Sequence, residues 1–228
     1  MTLQISLEEL IQSGAHFGHQ SRRWNPKMSQ YIYGVKDGIH IFDLIKTKEK
    51  LAEALEAIRQ YSKEGKTIVF VGTKKQAKEK VKKVALSTNS FYVNERWLGG
   101  TLTNFDQIKK SVYKLSDLKA KKEKGDFKSF TKKERLLIDR EIENLERFFG
   151  GIANISRTPD LLVVIDTKKE HGAIKEANFL GIPTVGAVDS NSDPDEVDYP
   201  IPMNDDASKA IEYVLELMED AILTGKGV

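Results

Sequence analysis

The 228-residue chain is 39% hydrophobic and 31% charged. That is enough apolar matter for a sizeable core, which excludes a wholly disordered chain, and more charge than the usual quarter. It has no cysteine, which excludes disulfide frameworks, zinc ribbons and thiol catalysis and fits a reducing compartment. The net charge of +2 conceals a polarity: residues 189–228 hold eleven acidic and two basic side chains, net −9, and residues 1–188 hold 34 basic and 23 acidic, net +11. Such a distribution suits a protein with one face on a polyanion and another turned away.

From the N-terminus, Met1 to Leu10 alternates apolar and polar residues and carries Glu8 and Glu9, so neither a signal core nor an acid-poor transit segment is expected. No run approaches a membrane span, and the expected location is the cytoplasm, or the stroma of a plastid with its own ribosomes. Ile39 to Leu44 reads as a strand and Thr47 to Tyr61 as a helix. Thr67 to Gly72 is a β-branched buried strand ended by glycine, followed by a Lys-rich helix over Gln76 to Leu86 and a short strand at Phe91 to Val93. Leu161 to Ile165 repeats the strand pattern, then a helix runs from about Glu170 to Leu180. Gly181-Ile-Pro183 turns the chain into a strand at Thr184 to Val188, and a last helix covers Ala207 to Ile222. Strands alternating with helices predict an α/β fold with a parallel sheet.

Between residues 104 and 150 the pattern changes. Phe105, Ile108, Val112, Leu115 and Leu118, then Ile138, Ile142, Leu145 and Phe149, recur at helical spacing on either side of a polar turn at Gly125-Asp126. Thr131 with Glu134 reads as a capping box at the start of the second helix. Two apolar seams joined by a polar tip predict an antiparallel helical hairpin inserted into an α/β body made of residues 1–103 and 151–228. The insertion carries thirteen basic and nine acidic residues, a mixture that a solvated helix face also shows.

Three constellations bear on chemistry. Gly72-Thr-Lys-Lys75 lies between a strand and a helix, where backbone N–H groups meet phosphate; the glycine patterns of nucleotide sites are missing, so RNA phosphate or plain solvation of the lysines fits as well. His16 and His19 are three apart, and His19 with Asp189, Asp193, Asp205 or Asp206 forms a candidate set for a single divalent metal ion, beside the alternative of hydrogen-bonded structural histidines. No cofactor is required by any motif, and no Ser-His-Asp hydrolase elbow occurs. Arginine and aromatic side chains interleave at Arg22-Arg23-Trp24 with Lys27 and Tyr31, and at Arg96-Trp97; the arginines are expected at RNA and both tryptophan rings in the core.

His16-Phe-Gly-His-Gln20 with Arg22-Arg-Trp-Asn-Pro-Lys-Met28, Phe70-Val-Gly-Thr-Lys-Lys-Gln76 and Asn94 to Phe105 closely resemble the bacterial form of the family of ribosomal protein two of the small subunit, and matching blocks continue to Asn204-Asp-Asp-Ala207. The resemblance implies a flavodoxin-like sheet with a protruding coiled coil, no enzymatic activity and a place between the head and body of the small subunit. Its implied partners are small-subunit rRNA and neighbouring ribosomal proteins, including the large single-strand-binding protein one, and no membrane. Carried over by position, the RNA contacts are Arg22, Arg23, Lys27, Lys74, Lys75, Arg96 and the hairpin lysines Lys109, Lys110, Lys121, Lys122, Lys132 and Lys133.

Overall fold

Alternation of side chains decides the architecture of the body. In the computed structural model, which describes residues 5–227, eight strands form two sheets: β1 (Phe17–Gln20), β2 (Ile32–Lys36) and β3 (Ile39–Phe42) in one, and β4 (Ile68–Val71), β5 (Phe91–Val93), β6 (Leu161–Ile165), β7 (Thr184–Val188) and β8 (Tyr199–Pro202) in the other. The larger sheet is parallel, ordered β5-β4-β6-β7-β8. Ile68, Phe70, Leu161, Val163, Ile165, Val185 and Ala187 point to one face, and Val69, Val71, Leu162, Val164 and Val188 to the other. Both faces are therefore apolar, as a sheet covered by helices on two sides requires.

The helices are α1 (Leu7–Gln12), α2 (Leu44–Lys63), α3 (Lys78–Ser87), α4 (Phe105–Lys124), α5 (Lys132–Phe149), α6 (His171–Leu180) and α7 (Ser208–Lys226). On the first face, α2, α3 and α7 bury Leu51, Leu55, Ile58, Val81, Ile211, Val214, Leu215 and Met218, each worth about 1.5–3 kcal/mol in transfer free energy. On the second, α6 and the roots of α4 and α5 contribute Ile174, Ile108, Val112 and Phe149, together with Met28 and Phe42 of the N-terminal segment.

The expected strands at 161–165, 184–188 and 91–93 form at those bounds. The expected strand from Ile39 stops at Phe42, and helix α2 begins three residues sooner than its expected start at Thr47, because the Asp43 carboxylate accepts the Ile45 N–H at 3.0 Å and caps it. That strand joins no parallel sheet; it pairs antiparallel with β1 and β2, two strands that the periodicity did not reveal. Of the N-terminal stretch Met1 to Leu10, residues 1–4 lie outside the described residues.

Helices α4 and α5 lie side by side, with ion pairs Lys114–Glu141, Lys119–Glu146 and Lys122–Asp139 running between them. Gly125 closes α4 at φ 81°, a left-handed turn that a residue without Cβ adopts freely. The capping box forms: the Thr131 hydroxyl accepts from Glu134 N–H, and the Glu134 carboxylate accepts from Thr131 N–H at 2.8 Å.

Candidate nucleic-acid interface

The carboxyl ends of the parallel strands are where a doubly wound sheet places its ligands. Here they carry charge. The loop after β4 supplies Thr73 and Lys74, the residue after β6 is Asp166, the residue after β7 is Asp189, and the segment after β8 supplies Asp205 and Asp206. The Lys74 ammonium sits among three carboxylates, 2.6 Å from Asp205, 2.6 Å from Asp206 and 3.3 Å from Asp166. His19 reaches in from β1, its Nδ1 2.9 Å from Asp189 and its Nε2 3.6 Å from Asp206, and its backbone N–H donates to the Ser190 hydroxyl at 2.8 Å.

Four carboxylates thus face one ammonium and one imidazole, and the titration follows from that imbalance. Burial, with the neighbouring charges of Asp189 and Asp166, pushes the Asp205 carboxyl up to about 7. For Lys74, burial opposes the charge, but Asp205, Asp206 and Asp166 outweigh it and hold the ammonium protonated more firmly than usual. The hydrogen bond to Asp189 raises the His19 imidazole against the opposing effect of burial. Beside the cluster, Thr73 donates its N–H and hydroxyl to Glu170 at 3.3 and 2.5 Å; burial still raises that carboxyl.

In this arrangement the expected metal set does not assemble, and Lys74 is enclosed. His19, Asp189 and Asp205 converge, but Asp193 is drawn away to Lys27, whose amine lies 2.8 Å from Asp193 and 3.0 Å from Asp195. Among the described residues, no three His, Asp or Glu side chains are placed to share an ion. The space between the carboxylates is taken by the Lys74 amine, whose side chain is 14% exposed. Such a lysine ties together the ends of β6 and β8.

The other cations divide in two. Arg22 and Arg23 stand exposed on a 3-10 turn, with Arg22 Nε donating to the Gln20 carboxamide at 3.1 Å. Lys75, Arg96, Lys110, Lys132 and Lys133 are exposed and form no ion pair among the described residues. Lys121 meets Asp117, Lys122 meets Asp139, and Lys109 lies over the Phe105 ring at 4.8 Å. The two tryptophans also part company. Trp97 packs against the second face and donates from Nε1 to Glu176 at 3.0 Å, but Trp24, expected in the core, is 37% exposed and stacks on His40 with centroids 4.8 Å apart.

Glu176 went unnoticed in the sequence. Its carboxylate accepts from Trp97 Nε1, from the N–H groups of Gly100, Leu102 and Thr103, and from the Thr103 hydroxyl, all within 3.1 Å. Burial opposes its ionisation, but these donors prevail and lower its pKa. A glutamate in the helix 171–180 carries no local sign of this role, since its partners lie more than seventy residues away.

A sheet whose ligand end is closed by its own ion network, with unpaired cations on outer turns and helices, is the build of a structural polyanion-associated protein. The family model described as Ribosomal protein S2 matches residues 10–225. The chain is 48% identical over 222 residues to the small ribosomal subunit protein uS2 of Coprothermobacter proteolyticus, covering 97% of this chain and 83% of that protein. It is 50% identical, with the same coverage of both chains, to the small ribosomal subunit protein uS2 of Nitratiruptor sp.. The chain belongs to the ribosomal protein S2 family: it is a structural protein of the small ribosomal subunit, part of a ribonucleoprotein that serves translation, and not an enzyme. Among the described residues no helix is long and apolar enough to cross a membrane.

Proposed function

We propose that the chain binds small-subunit rRNA through its exposed, unpaired cations, Arg22, Arg23, Lys75, Arg96, Lys110, Lys132 and Lys133, that Lys74 serves the fold, and that Lys27, exposed but paired with Asp193 and Asp195, is partly engaged. The observation that carries this reading is the division of the cations, with Lys74 enclosed by carboxylates and another set open to solvent. Helices α4 and α5 are read as a coiled-coil hairpin, residues 104–150, inserted into a flavodoxin-like body; the strand order 2-1-3-4-5, counted along the parallel sheet, supports the latter. With a net charge of only +4 over residues 104–149, and Lys109, Lys121 and Lys122 partly engaged, the hairpin divides its surface between RNA and protein neighbours. The protein sits between head and body of the subunit in cytoplasmic ribosomes, or plastid ribosomes if organelle-encoded, and supports recruitment of ribosomal protein one.

Co-sedimentation with small subunits in a low-salt, magnesium-containing sucrose gradient tests the placement, and failure to co-sediment would sink it. Binding of small-subunit rRNA at rising salt tests the RNA-facing cations: Arg22→Gln with Arg23→Gln is expected to weaken binding and flatten its salt slope, by roughly 0.7–0.9 in log units for each phosphate no longer neutralised. Omission of this chain from a reconstitution is expected to lower the amount of protein one retained on the particle.

A further inference from the structure

The small antiparallel sheet presents a face that the fold leaves uncovered. In β3, His40 and Phe42 turn inward and are buried, whereas Ile39 and Ile41 face out. Across the outer face, Ile41 is flanked by Phe17 of β1 and Gly34 of β2, and Ile39 by Gln20 and Lys36. The register shifts between Ile32 and Gly34, and the intervening Tyr33 is thrown out to 82% exposure, with Phe17 at 45%. A Cβ built on Gly34 meets nothing within 4 Å. The missing side chain leaves a concavity of about 340 Å³ lined by His16, Phe17, Tyr33, Gly34, Val35, Lys36 and Ile41.

The chemistry of this hollow selects its occupant. Its volume suits a single planar group with its attachments, and its walls are two aromatic rings and aliphatic carbons. Burial disfavours the charged form of His16 and lowers its pKa, and the His16 ring packs on Phe17 with centroids 4.0 Å apart. Exposed Lys36 lines the hollow, and exposed Arg22 is hydrogen-bonded to Gln20 in the next register row, with Arg23 following it in the chain. Aromatic walls with cations one residue row away match an unpaired base and its flanking phosphates. An apolar protein segment would leave those cations without a counter-charge.

We propose that the outer face of β1–β3–β2 is a stacking site for an unpaired RNA base, seated over Gly34 between Phe17 and Tyr33, with the flanking phosphates on Lys36, Arg22 and Arg23. This rests on the RNA-binding reading and adds to it the kind of RNA: single-stranded, or a bulge or loop with an unpaired base, bound without sequence readout.

The full-length chain is tested with three probes of equal length: oligouridylate, the same oligomer without bases, and duplex RNA. Tyr33→Ala removes a ring too exposed to matter for folding, and Gly34→Leu fills the hollow at a position with room for a side chain; unchanged urea midpoints verify both. Each is expected to weaken oligouridylate binding about tenfold at constant salt slope, because stacking releases no counterions, and to leave the base-free oligomer unaffected. Arg22→Gln with Arg23→Gln is expected to lower affinity for all three probes together with the slope. If Tyr33→Ala and Gly34→Leu bind oligouridylate like the wild type and the arginine variant does not, the stacking site is overturned and the RNA reading stands. If the wild type binds none of the probes, both fall. If Gly34→Leu leaves RNA affinity intact but loses a neighbouring protein from reconstituted subunits, the face belongs to a protein, and the stacking site is overturned.

Discussion

Lys74 and Lys122 meet carboxylates at nearly the same distance, 2.6 and 2.7 Å, yet the two pairings mean different things. Lys74 is 14% exposed and faces an Asp205 that is almost fully buried, with Asp166 and Asp206 beside it; Lys122 is 55% exposed on a helix and meets Asp139 alone. Water screens the second pair and leaves its lysine free to exchange partners. The enclosed group has no such alternative, and each member holds the others. The body therefore keeps Lys74 for itself, and the paired helices hold Lys122 only loosely. Breaking this contrast is the most direct test of the functional reading.

The largest expected effect is at Lys74. Lys74→Met strands buried carboxylates and is expected to destabilise the chain by about 3–5 kcal/mol in urea unfolding, while Lys122→Met leaves the midpoint indistinguishable from wild type. Glu176→Ala comes next, at about 2 kcal/mol, since the N–H groups of Gly100, Leu102 and Thr103 are left without their acceptor. Faster amide exchange at those residues would separate this from a general loosening of packing.

The charged cluster also predicts a pH dependence. His19 binds its proton more tightly in the folded chain, so its stabilisation is full below the ordinary value near 6.5 and is lost as pH rises through the raised folded value. Asp205 acts in the same direction, with full effect below 3.8 and loss as pH climbs through about 7. The urea midpoint is expected to fall as pH rises from about 4 through 7, with His19 adding to the fall above 6.5, and His19→Gln to remove that addition. Glu176 works oppositely: its lowered pKa gives stabilisation present above 4.5 and lost as pH falls through the folded value.

On the paired helices the effects are smaller and concern binding. Lys132→Gln with Lys133→Gln is expected to flatten the salt dependence of rRNA binding more than Lys121→Gln with Lys122→Gln, because the latter pair already has carboxylate partners. Equal slopes would erase the distinction between engaged and open cations. Smallest is Thr131→Ala, which removes the cap of α5 at about 1 kcal/mol. Exchange should quicken in the first turn of α5 and nowhere in the body.

Four of the five parallel strands, all but Tyr199–Pro202, and the two long helices were legible because their signal is local. Leu161 to Ile165 is a continuous apolar run, Thr131 and Glu134 stand at capping-box spacing, and the 105–149 segment repeats at helical steps. The antiparallel sheet was hidden: Phe17-Gly-His-Gln20 and Ile32-Tyr-Gly-Val-Lys36 are short, contain glycine and are shifted in register, so neither shows a clean period of two. The exposure of Trp24 was hidden as well, because its stacking partner His40 lies in β3, well beyond the reach of local pattern.

What the sequence determined by itself was the kind of element at each place, the charge polarity and, through long matching blocks, the family. Only the tertiary structure decided which cations are available. Lys74 and Lys75 are neighbours of identical chemistry, but the sheet brings residues 166, 205 and 206 from two distant strand ends around one amine and leaves the other in solvent. Period and propensity act over a turn of helix or a few residues of strand, whereas this selection depends on pairings across 131 residues of chain, which exist only once the parallel sheet has formed.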